Sequence, residues 1–145
     1  MSDNRINGRT YIILIENYKD REVFIGRLGK LNFSKGIYAY IGSGKKNIMA
    51  RIKRHLSNNK KIFWHIDYLL NRKTRIKEVW ISSKEAECKM AKYFVKYGFS
   101  YIKNFGSSDC RCQSHLFFVH NNRRKIRNIL KKMKFKNINC LSPFQ

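Results

Sequence analysis

The chain has 145 residues, 43% of them hydrophobic, which is enough for one domain with a real core. Thirty-two Lys and Arg against nine Asp and Glu leave a net charge of +23, and such a surface attracts polyanions, nucleic acid being the commonest inside a cell. No apolar run approaches the roughly 18 residues of a membrane span, and the polar start MSDNRINGRT lacks the apolar stretch of a signal peptide, so no membrane association and a cytoplasmic location are expected.

In chain order, residues 1–9 form a polar lead-in. The apolar run at 11–16 predicts a strand, residues 17–21 a turn, and 22–28 a second strand weakened by Gly26 and Gly29. Residues 30–35 read as a loop. Residues 36–42 form a strand with Tyr38 and Tyr40 on one face and Ile37, Ala39 and Ile41 on the other. Gly42 and Gly44 around Ser43 break it. From about Lys46 the period becomes helical, with Ile48, Ile52, His55 and Leu56 as a stripe. Arg51 and His55, four apart, share an edge beside that stripe. Two phenols, a guanidinium and an imidazole can therefore converge at one strand–turn–helix corner.

A polar connector, 57–61, leads to a helix over 62–71 whose buried stripe is Ile62, Ile66, Leu69 and Leu70. Residues 76–81 read as a strand. Ser82 and Glu85 have capping-box spacing for a helix over 83–97. On that helix Glu85, Lys89, Lys92 and Lys96 mark the wet face, and Ala91, Phe94 and Val95 the buried one. Glu87 precedes Met90 and Ala91 by three and four residues, so it falls on the inward side. A carboxylate there needs a metal, an arginine or a hydrogen bond, because burying it unpaired is costly. Residues 104–108 are turn-rich, 115–120 form a strand, and 122–135 a basic helix with Ile126, Ile129, Leu130 and Met133 as its apolar line. Pro143 marks a loose tail. The expected architecture is α/β: a small antiparallel sheet flanked by helices, in one domain spanning 1–145. Its core is expected over about 8–120, with a basic C-terminal helix and tail at 121–145.

Tyr40-Ile41-Gly42-Ser43, followed by Arg51 and His55 on the next helix, resembles the GIY-YIG endonuclease superfamily. The segments WHIDYLL, EC-x-x-A and GSSDCRCQSHLFF resemble one branch of it, a set of small domains that stand alone or are fused to DNA-repair enzymes. In that family the first motif lies on a strand antiparallel to the second, so a turn must separate them. Gly36-Ile37-Tyr38 is too close to Tyr40 for this. Thr10-Tyr11 is the better counterpart, with Tyr38 the alternative.

The resemblance implies a Mg²⁺- or Mn²⁺-dependent endonuclease that hydrolyses phosphodiester bonds in DNA, in DNA repair or processing, with RNA a further partner to consider. Glu87 matches the family's single metal-holding glutamate. Arg51 would stabilise charge on the phosphate, and Tyr11, Tyr40 or His55 would take the proton, a choice the sequence leaves open. Tyr38, Gly42, Ser43, Lys45, Lys46, Arg54 and Asn104 are expected against the substrate, and Asp109 stands in the same turn as Asn104. His65 and Asp67 are candidates for a supporting role or for capping a groove. A basic DNA- or RNA-binding module without turnover is the alternative from another class.

The absence of a secretory signal argues that the four cysteines are reduced thiols or metal ligands rather than disulfides. Cys110, Cys112 and His115, with Cys88 or His65 as a fourth, have ligand types that suit zinc. The C-x-C-x-x-H spacing lacks paired C-x-x-C knuckles, and small core cysteines are the competing account.

Overall fold

A computed structural model describes residues 8–44, 47–57, 61–62, 64–71, 73–108 and 110–138. Among the described residues, eight strands and four α-helices follow in the order β1 (Thr10–Asn17), β2 (Arg21–Phe24), β3 (Lys30–Phe33), β4 (Gly36–Ser43), α1 (Ile48–Leu56), α2 (His65–Leu69), β5 (Thr74–Ser82), α3 (Glu87–Tyr97), β6 (Ser100–Tyr101), β7 (Leu116–His120), α4 (Arg123–Lys132) and β8 (Lys136–Asn137). Six of the strands make one antiparallel sheet in the order β6-β7-β4-β1-β5-β8, and β2 and β3 pair as a separate hairpin. The fold is α/β with helices on both faces of the sheet, as expected.

The alternation along β1 and β4 decides what covers each face. Tyr11, Ile13, Ile15, Tyr38 and Tyr40 pack with Ile48 and Ile52 of α1, Ile66 and Leu69 of α2, and Val23 and Phe33 of the hairpin. Ile12, Leu14, Ile37, Ala39 and Ile41 pack with Met90, Ala91 and Phe94 of α3 and Ile126 and Leu130 of α4. Both faces are dry, so β1 reads as a continuous apolar run rather than an alternating one.

Several elements depart from the sequence reading. The strand expected over 22–28 stops at Phe24 and gives way to a 3-10 turn, Gly26–Leu28, where Gly26 has φ +47°. The loop expected over 30–35 is mostly β3, because hairpin pairing to β2 extends it. The helix expected over 62–71 shrinks to α2, and Ile62 is 49% exposed rather than part of its stripe. Ser82 is the last residue of β5, not a helix cap. α3 begins five residues later, where the Ala86 N–H donates to the Thr10 hydroxyl oxygen at 2.7 Å. The Thr10 hydroxyl at the start of β1 thus accepts the N–H of the residue before α3, the bond that the carboxylate of the expected capping box would make. The core also runs past residue 120, since α4 packs on the sheet and β8 pairs with β5. Pro143 lies outside the described residues.

Candidate active site

β1 and β4 pair in a register that sets Tyr11 opposite Gly42. The Tyr11 ring lies against that glycine: a Cβ at residue 42 would come within 2.2 Å of Tyr11 Cζ. Gly42 therefore leaves the space through which Tyr11 reaches α1. There its hydroxyl lies 2.7 Å from Nε2 of His55, a residue held on the helix's buried face. Tyr40, two residues before Gly42, stands over the same corner, its ring centroid 6.0 Å from that of His55 and 6.4 Å from that of Tyr11. Burial pushes the Tyr11 phenol well above its usual range, an effect that the nearby Arg51 only partly offsets. Tyr11 is accordingly a neutral phenol at physiological pH.

Arg51 is placed by two contacts. Its Nη1 donates to the Ser43 carbonyl at 2.8 Å, and its guanidinium lies 5.0 Å from the Trp64 ring centroid. Glu87, in the first turn of α3, arrives from the other face of the sheet, and Oε2 lies 3.4 Å from the Thr10 hydroxyl. That hydroxyl donates to the Lys84 carbonyl at 2.7 Å, so it anchors the turn before α3 more firmly than it holds Glu87. Tyr11, Tyr40, Gly42, Ser43, Arg51 and Glu87 all line one cleft of about 590 Å³. A family model described as domain of unknown function DUF123 matches residues 10–138. The chain belongs to that family. No curated protein matches the chain, and no solved structure does. The span matched to DUF123 runs from the first residue of β1 to just past β8, so it takes in every wall of the cleft.

Other expected site residues in this DUF123 domain are placed elsewhere. Tyr38 is buried on the same sheet face but away from the cleft. Its hydroxyl donates to the Ser34 carbonyl at 2.9 Å, its ring packs on Phe118, and burial pushes its phenol up to about 12. It is a core tyrosine, which leaves Tyr11 as the residue opposite the Tyr40-Ile41-Gly42 motif. Arg54 does not line the cleft: it is clamped to the buried Asp67 by two bonds of 2.9 Å and stacks on Trp64. Asp67 also accepts from the Trp64 N–H at 2.8 Å, so it fixes the start of α2. Asn104 is exposed, at φ +65°, and donates its N–H to the Gln113 carbonyl; it marks a turn outside the cleft lining. Lys45, Lys46 and Asp109 lie outside the described residues.

His65 does line the cleft. Burial lowers its pKa, and Nδ1 accepts the Gly106 N–H at 2.9 Å. Trp64, which no sequence motif marks as a site residue, lines the cleft as well. Its signal was an aromatic residue soon after a helix carrying Arg51 and Arg54, a pairing that favours guanidinium stacking. Cys88, Cys110, Cys112 and His115 come together: their ligand atoms all lie within 4.8 Å of one another, beside the Glu87 end of the cleft.

Proposed function

We propose that this chain is a metal-dependent endonuclease that hydrolyses phosphodiester bonds in DNA, in the manner of the GIY-YIG superfamily it resembles. The observation that carries this reading is the convergence of Tyr11, His55, Tyr40, Arg51 and Glu87 on one corner of a chain of net charge +23. Of the inward-facing acids, Asp67 is committed to Arg54, and Glu78 to Arg123 and Arg127. Glu87 is half-buried in the cleft wall and, among the described residues, makes no ion pair. One carboxylate in an open, water-accessible cleft fits Mg²⁺, which binds through one or two carboxylates and completes its shell with waters and phosphate oxygens. Bound there, Mg²⁺ or Mn²⁺ would offset charge developing on the phosphate and the leaving oxygen.

The protein's own groups divide the remaining work. Arg51, oriented by Ser43 and Trp64, presents its remaining N–H groups to the non-bridging oxygens. Tyr11, kept neutral by burial, relays the proton: it accepts one from the attacking water as it passes its own to His55 Nε2. Tyr40 lines the same corner, its ring beside those of His55 and Phe105.

Mg²⁺-dependent nicking of supercoiled plasmid tests the reading. Glu87→Ala should abolish cleavage and leave binding intact or tighter, since a charge repelling DNA is gone. Arg51→Ala should lose about 10²–10³-fold in rate with a modest loss of binding. Glu85→Ala, two residues away, exposed, outside the cleft lining and 3.6 Å from Arg9, should change little. Full activity in Glu87→Ala sinks the assignment. Tight binding with no cleavage under any divalent ion would leave a binding module instead.

A further inference from the structure

We propose that Cys88, Cys110, Cys112 and His115 form a structural zinc site that clamps the first turn of α3 to the loop between β6 and β7. The donors come from two places in the chain. Cys88 is the second residue of α3, and the other three lie in the segment that leads into β7. Their ligand atoms all lie within 4.8 Å of one another, and Cys110 Sγ stands 3.6 Å from His115 Nε2. Tetrahedral zinc with bonds of about 2.3 Å to sulfur and about 2.0–2.1 Å to nitrogen would set sulfur–nitrogen edges near 3.6 Å and sulfur–sulfur edges near 3.8 Å. The Cys110–His115 edge already has that length, and the widest pair needs to close by about 1 Å.

A core role accounts for Cys112, which packs against the apolar cluster of α3 and α4, but not for the other two thiols. The three thiols are half-buried rather than enclosed, and two of them border a polar cleft. His65, the other candidate for the fourth position, is engaged through Nδ1 with the Gly106 N–H. Three sulfurs and one imidazole make a closed set with no position left for substrate, which is the pattern of structural rather than catalytic zinc. Binding is balanced by loss of three thiol protons: Zn²⁺ with three thiolates and a neutral imidazole leaves a site of charge −1. The loop from Ile102 to His115 has little regular structure of its own. It hangs on a few backbone bonds, Asn104 to Gln113 and His115 to Phe105 among them. A metal joining Cys110, Cys112 and His115 to Cys88 would fix this loop to α3 directly beside Glu87.

The site stands whether or not the cleft cleaves DNA, and metal content tests it without an activity assay. The full-length protein, purified under reducing conditions without a metal-affinity tag, should carry about one zinc per chain. Exchange for Co²⁺ should give the intense visible bands of a tetrahedral, thiolate-ligated ion. Cys88→Ser and Cys110→Ser should each lose the zinc and the Co²⁺ spectrum, whereas His65→Ala should keep both. If the cysteine variants do not fold, the metal content and Co²⁺ spectrum of the unaltered protein still decide. A folded protein that holds no zinc and takes up neither Zn²⁺ nor Co²⁺ after reduction overturns the proposal. A disulfide among these cysteines in the reduced preparation does the same, and retention of zinc by Cys88→Ser removes α3 from the site.

Discussion

Gly42 shows how one absent side chain arranges the corner. Its lack of a Cβ admits the Tyr11 ring, and that ring carries the hydroxyl to His55. Gly42→Ala should displace the ring and cost about 1–3 kcal/mol, as overpacking of a tight site does. Cleavage should fall further than stability, which paired denaturant melts and nicking assays would separate. The two tyrosines that compete for the first motif part in the same way. Tyr11→Phe removes the bond to His55 Nε2 and should destabilise by about 1–3 kcal/mol while stopping cleavage. Tyr38→Phe removes one bond to the Ser34 carbonyl and should cost about 1 kcal/mol with cleavage unchanged. Equal loss of activity in both variants would count against the placement of Tyr11 as the proton relay.

Between elements, the most exacting contact is the one holding α4 to β5. Glu78 is almost fully buried on β5 and accepts from Trp80 Nε1, Arg123 and Arg127. Burial opposes its ionisation, but hydrogen bonds from Arg127, Trp80 and Arg123 outweigh it and hold the carboxyl below the usual range. A lowered folded pKa means that this stabilisation is present above the ordinary value of 4.5 and is lost as pH falls through the lowered one. Glu78→Gln should cost about 1–3 kcal/mol at pH 7, the arginines being partly solvated. The gap to the unaltered protein should close as urea melts are taken into acid; a gap independent of pH would mean that the charge does not matter. This contact was not legible in the sequence, because Glu78 sits on a strand whose partners Arg123 and Arg127 arrive from a distant helix. The strands β1 and β4, α1 and the inward phase of Glu87 were legible, since each follows from a local period. The capping of α3 was not: Ser82 and Glu85 have the spacing of a capping box, but Ser82 is drawn into β5 by pairing with Thr10. The two-residue strands β6 and β8 carry no periodic signal at all.

For the molecule as a whole, the net charge of +23 is the feature on which the proposed nucleic-acid partner rests. Affinity for DNA should fall steeply and linearly in log salt across 50–200 mM, whatever the sequence, as counterions compete for the phosphates. A flat response would remove nucleic acid as the main partner. The place of β1 in the sheet has a consequence of another kind, in time. Thr10 must wait for Ser43 on one side and for Ser82 on the other. During synthesis β1 therefore emerges ahead of both its neighbours, and the β5 side stays open long after β4 has been made. Such distant closures are slow, and an unpaired strand invites wrong partners in the meantime. The lysines and arginines that follow it, repelling other copies of the same nascent chain, would protect that interval before they ever meet a phosphate.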